Sequence, residues 1–146
     1  MVFPLPIDSR RPRCCDNALI LGDASCLEIR QLLAASRLPA LPLNPALSPL
    51  EAISEALQQQ RANGQAVRSL HLIAHGEPGV VWFGDQAIDR AALLAKAEVL
   101  ANWGLKEIAL WSCHVGADAD FIALLEELTG AVVLCSQRLI GASSEQ

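Results

Sequence analysis

The sequence predicts a single α/β domain, a mostly parallel sheet flanked by helices, and three observations carry that expectation. Short apolar runs of strand length, at 17–21, 69–74, 107–112 and 131–135, alternate with longer segments whose apolar residues recur at helical spacing. Turn formers punctuate the junctions: Gly22-Asp23, Asn44-Pro45, Asn63-Gly64, Gly104 and Thr129-Gly130. The chain has 146 residues, 52% of them hydrophobic and 18% charged, which suffices for one sizeable core and is too short for two. Strands that alternate with helices in this way pair in parallel through right-handed crossovers.

Taken in order, residues 1–16 are rich in Pro and Arg without any period, so an extended or disordered arm is expected before a domain that spans 17–142. The run 17–21 reads as a buried strand closed by Gly22-Asp23, after which Ser25 is the expected cap of a helix over 26–35. Leu41-Pro42-Leu43 reads as a short edge strand, because proline cannot donate to a ladder. Leu50, Ile53, Ala56 and Leu57 recur at helical spacing behind Ser48-Pro49, and Asn63-Gly64 ends that helix.

A buried strand over 69–74 is then expected to run into a loop, His75-Gly76-Glu77-Pro78-Gly79, followed by a hairpin of 80–83 and 86–88 around Gly84-Asp85. Asp89 is the expected cap of one helix reaching about Asn102. A strand over 107–112, a turn over 113–117, a helix from Asp118 to Leu128 and a last strand over 131–135 follow, with 143–146 as a tail.

Composition excludes several function classes. The net charge is −5 and the cations are scattered, so nothing matches the footprint of a nucleic acid backbone. The longest apolar runs fall well below the roughly 20 residues needed to span a bilayer, so no membrane insertion is expected. Arg10, Arg11 and Arg13 are not followed by an apolar stretch with a cleavage site, so no Sec signal is read. Five cysteines (14, 15, 26, 113 and 135) without CxxC spacing suggest neither a disulfide framework nor a zinc finger.

In open parallel sheets ligands bind beyond the carboxyl ends of the strands. His75 follows the strand 70–74 and Cys113 follows 108–112, so both belong on that edge and can meet if the two strands are neighbours. A thiolate is the nucleophile, and an imidazole can take and return its proton. Gly76 permits close backbone approach, so its N–H and that of Cys113 can serve as a pair of oxyanion donors.

These residues resemble the signature of clan CD cysteine peptidases, the group of caspases, gingipains and legumains. The matching stretches are Leu70-His-Leu-Ile-Ala-His-Gly76 and Ile108-Ala-Leu-Trp-Ser-Cys113. More closely, over about Asn17 to Ala142, the chain is similar to the bacterial domain DUF4347, found near the start of large secreted or surface proteins. The closer markers are Ala74-His-Gly-Glu-Pro-Gly79, Val80-Val-Trp-Phe-Gly84, Trp111-Ser-Cys-His-Val-Gly116 and Leu128-Thr-Gly-Ala-Val132.

The resemblance implies a caspase-like three-layer sandwich and a cysteine hydrolase, with His75 as general base and Cys113 as nucleophile passing through a thioester. The substrate would be a peptide or protein, including the chain's own precursor, with no cofactor and no metal. Asp23 stands about where clan members select the residue before the scissile bond, and a carboxylate there favours Lys or Arg. Glu77, Trp82, Ser112 and His114 complete the expected pocket. The family often has Gly before the cysteine and Asn after it, where this chain has Ser112 and His114.

Other readings stand beside this one. His114 is an alternative base, His71 reads as a hydrogen-bonded core histidine, and Cys113 as buried filler is the bland alternative. A metal held by His75, Cys113, His114 and Asp118 lacks the spacing of structural zinc sites. The alternative function is a catalytically inactive binding or assembly module of a large bacterial surface or secreted protein.

Overall fold

The computed structural model describes residues 17–112 and 114–135. The expected arm, the tail and Cys113 itself lie outside the described residues. Five strands form one parallel sheet: β1 (Ala18–Gly22), β2 (Ala40–Pro42), β3 (Ser69–Ile73), β7 (Glu107–Trp111) and β8 (Val132–Cys135), in the spatial order β2-β1-β3-β7-β8. Between β3 and β7 the chain inserts a small antiparallel sheet of β4 (His75–Glu77), β5 (Val80–Phe83) and β6 (Gln86–Ile88).

Among the described residues five α-helices pack around the sheet: α1 (Leu27–Ala35), α2 (Pro49–Ala62), α3 (Arg90–Ala95), α4 (Ala97–Ala101) and α5 (Ala119–Thr129). Alternation along the strands sorts the core into two faces. Leu19 and Leu21, Leu70 and Leu72, Ile108 and Leu110, and Val133 meet Leu50, Ile53 and Leu57 of α2, Leu93 of α3, Leu100 of α4 and Phe121 and Leu125 of α5. On the opposite face Ile20 and Ile73 pack with Ile29 and Leu33 of α1. The result is the expected three-layer α/β arrangement. Its central strands are buried on both sides, as strands covered by helices on two faces must be.

Gly22 is required where α1 crosses the end of β1, since a Cβ there would stand 2.7 Å from Ile29 Cγ2. On β8 the second face has no helix over it among the described residues, and Val132 and Leu134 remain 58% and 49% exposed.

Three local expectations are corrected. Ser25 does not cap α1; Cys26 holds the cap position without a side-chain bond, because the Ser25 hydroxyl donates to Asp23 instead. The helix after Asp89 is two helices, broken at Lys96 (φ −119°, ψ 30°), whose ammonium reaches Glu51 on α2 at 2.9 Å. His75-Gly76-Glu77 is not loop but a strand, paired residue for residue with Trp82, Val81 and Val80. Asp89 and Asp118 do cap as expected, accepting from Ala92 N–H at 2.9 Å and Phe121 N–H at 3.1 Å. No helix among the described residues is long and apolar enough to cross a membrane.

Candidate active site

The carboxyl ends of β1, β3 and β7 finish level with one another: Gly22 pairs with Ile73, and Ile73 with Trp111. Two further backbone bonds extend this line past the strands, Asp23 N–H to the Ile73 carbonyl at 3.0 Å and Ala74 N–H to the Trp111 carbonyl at 3.4 Å. Asp23, His75 and Ser112 therefore emerge along one edge, one or two residues beyond the last paired position. His75 is exposed at the start of β4, directly across from Trp82 on β5. Gly76 and Glu77 follow on the same strand, Gly76 half-buried and Glu77 exposed.

The hairpin that carries His75 is fastened to the loop after β7. Gly79 N–H donates to the Val115 carbonyl at 3.3 Å. Gly79 adopts φ +75°, and its Cα lies so close to Asp118 that an added Cβ would stand 2.4 Å from Oδ2. Asp118 in turn caps α5, so one carboxylate joins the hairpin, the loop and a helix start.

Asp23 is buried, and both its oxygens are engaged within the chain. Oδ1 accepts from Ser25 N–H at 2.9 Å and the Ser25 hydroxyl at 2.7 Å, while Oδ2 accepts from Gly84 N–H at 3.0 Å. It therefore ties the end of β1 to the β5–β6 turn. It also lines a cavity of about 320 Å³ together with Ser25, Asn44, Phe83, Asp85 and Gln86.

Ser112 is fully buried and its hydroxyl has no hydrogen-bond partner among the described residues; the same holds for the buried Nε1 of Trp82. His114 is exposed and takes the left-handed conformation, φ 58°, the one non-glycine among the described residues to do so. Such a conformation costs a residue with a Cβ roughly 1–2 kcal/mol and tends to mark functional turns. Cys113, between these two, is outside the described residues.

Two features were not anticipated from the chain as partners. Trp111 Nε1–H donates to His71 Nδ1 at 3.1 Å, and Asp118 meets Gly79. The first was half visible, since His71 shares strand parity with His75; its partner on a neighbouring strand was not. Burial holds the His71 imidazole below its usual range, against an opposing pull from the Glu107 carboxylate. Burial and the nearby Glu126 carboxylate push the Cys135 thiol up. No cluster of three His, Cys, Asp or Glu suited to a metal occurs among the described residues.

The model of one protein family, a domain of unknown function designated DUF4347, matches residues 19–146. No curated protein and no solved structure matches the chain.

Proposed function

The chain belongs to the DUF4347 family, and we propose that the carboxyl edge of its sheet is the active site of a caspase-like cysteine hydrolase cleaving amide bonds. One observation carries this reading: β3 and β7 are hydrogen-bonded neighbours with Ile73 opposite Trp111. In the sequence His75 and Cys113 each come two residues after that pair.

His75 takes the Cys113 thiol proton as the sulfur attacks the substrate carbonyl carbon. The backbone N–H groups of Gly76 and Cys113 receive the oxyanion, a contribution of roughly 10² to 10³ in rate for each such donor. The C–N bond breaks, the amine departs with the proton from His75, and a thioester remains. His75 then draws a proton from water, whose oxygen displaces the sulfur and restores the thiol.

Trp82, opposite His75, offers a flat apolar surface and a buried indole N–H without a partner among the described residues. The cavity at the β5–β6 turn is lined by Asp23 and Asp85. With both Asp23 oxygens held by Ser25 and Gly84, the acidic character of that cavity, rather than a free Asp23 carboxylate, favours a substrate with a Lys or Arg side chain before the scissile bond. Glu77, Ser112 and His114 border the same edge. Peptide or protein substrates, including the chain's own precursor in a large bacterial surface or secreted protein, fit this chemistry.

The test is a pH series of iodoacetamide labelling with mass-spectrometric assignment, on wild type, His75→Ala and Cys113→Ala. Labelling of Cys113 near neutral pH that is fast and requires His75 supports the hydrolase. Cys135 serves as an internal comparison, because its raised thiol keeps it protonated and slow. Slow labelling of Cys113 that ignores His75 removes the dyad and leaves a binding or assembly role for the edge.

A further inference from the structure

A second histidine lies four residues before His75 and plays no part in the chemistry above. His71 is 5% exposed in the middle of β3, level with Ile20 on one side and Ala109 on the other. Its Nδ1 accepts the indole N–H of Trp111 at 3.1 Å, and the two rings lie within 21° of parallel with centroids 6.3 Å apart. A neutral imidazole that accepts at Nδ1 carries its proton on Nε2.

Trp111 is the last residue of β7, and β3 holds it at two points. Its indole N–H is bonded to His71, and its carbonyl accepts from Ala74 N–H, the residue directly before His75. From there the chain runs through Ser112 into Cys113. A strand end tied through both backbone and side chain has little freedom to twist, and the bond is costly to lose because its acceptor, the His71 imidazole, is buried.

We propose that His71, acting through Trp111, is a positioning residue that fixes the end of β7 and thereby the approach of the Cys113 thiol to His75. The proposal rests on the hydrolase reading above. Burial favours the neutral imidazole, which is the form able to accept from Trp111; Glu107, bonded to the Ser69 hydroxyl at 3.2 Å, is the charged group that works against it.

The experiment measures Cys113 labelling rate against pH in the folded protein for wild type, His71→Phe, Trp111→Phe, the double variant and His71→Asn. Asn places an oxygen near the position of Nδ1 and so retains an acceptor. Either Phe variant is expected to slow Cys113 labelling on the order of tenfold and to shift its pH midpoint, since small misplacements of reacting groups carry large rate penalties. The double variant should be no slower than the singles, and His71→Asn should restore both rate and midpoint.

Unchanged rates and midpoints in folded Phe variants, whatever their melting temperatures, overturn the proposal, as does an Asn variant no better than Phe. If His71→Phe does not fold, Trp111→Phe, which keeps an aromatic ring in place, answers the same question. His75→Ala run alongside separates the two ideas: labelling indifferent to His75 removes the hydrolase reading, whereas the effect of His71 on Cys113 is scored independently of it.

Discussion

Replacing Gly79 with alanine strikes the junction between the His75 hairpin and the loop after β7, and its cost can be worked from the structure. The φ of +75° costs a residue with a Cβ about 1–2 kcal/mol. The new methyl would stand 2.4 Å from Asp118 Oδ2, 3.0 Å from Cγ and 3.1 Å from Cβ, so the carboxylate must move. Moving it weakens the cap on Phe121 N–H, and helix caps contribute about 1 kcal/mol.

Against these costs, alanine restricts the unfolded chain and returns roughly 0.4–1 kcal/mol. The net is a loss of about 2 kcal/mol, and with a urea m-value of roughly 1–3 kcal/mol/M the unfolding midpoint falls by about 1 M. Equilibrium unfolding followed by circular dichroism reads this directly. Asp118→Ala alone should lose about the cap, roughly 1 kcal/mol, and the double variant should lose less than the sum, because removing the carboxyl removes the clash. A Gly79→Ala protein within about 0.5 kcal/mol of wild type, or strict additivity with Asp118→Ala, would refute the reasoning.

Two further outcomes follow from buried polar groups. His71 is held neutral by burial, so its folded pKa lies below the unfolded value of 6.5; below that value the unfolded chain binds the proton more readily. Stability is therefore complete above about pH 6.5 and falls with acidification by up to about 1.4 kcal/mol per pH unit until the folded pKa is reached. His71→Asn should flatten that part of the urea midpoint against pH, and an unchanged slope would contradict the assignment. Ser112 buries a hydroxyl with no partner among the described residues, so Ser112→Ala should hold or raise stability by about 1 kcal/mol; a drop of that size by calorimetry would reveal a bond this hydroxyl does make.

The parallel sheet was legible because each central strand is a short, mostly apolar run between turn formers, and Leu19 to Leu21, Leu70 with Leu72 and Ile73, and Ile108 to Leu110 are buried as strands covered on both faces require. The position of His75 was legible for the same reason: it stands just past an apolar run on an edge where chains of this class bind ligands. Its local structure was not. His75, Gly76 and Glu77 have no strong strand preference of their own and become a strand by pairing with Val80 to Trp82, a tertiary effect that outweighs propensity.

The break at Lys96 escaped for a similar reason, because residues 90–101 are mostly strong helix formers and nothing local marks the interruption. Asp23 reads in the sequence as a carboxylate at the end of the first strand, but its ties to Ser25 and to Gly84, 61 residues further on, depend on how the hairpin turn folds back over β1. Gly79 read simply as a turn former. Its second role, leaving room for Asp118, appears only once two distant loops meet.

The strand order also dictates how the molecule can assemble in time. β1 has no partner until β2 or β3 exists, and β3 pairs with a strand whose first residue lies 38 positions beyond its own, Ser69 with Glu107. Closing such loops must precede the contacts that reward it, so the central ladder forms slowly compared with local structure. The three-strand hairpin sheet, by contrast, is a local unit that can form on the faster clock of hairpins. His75 thus belongs to a local piece, whereas the pairing of β3 with β7 waits on a longer loop closure.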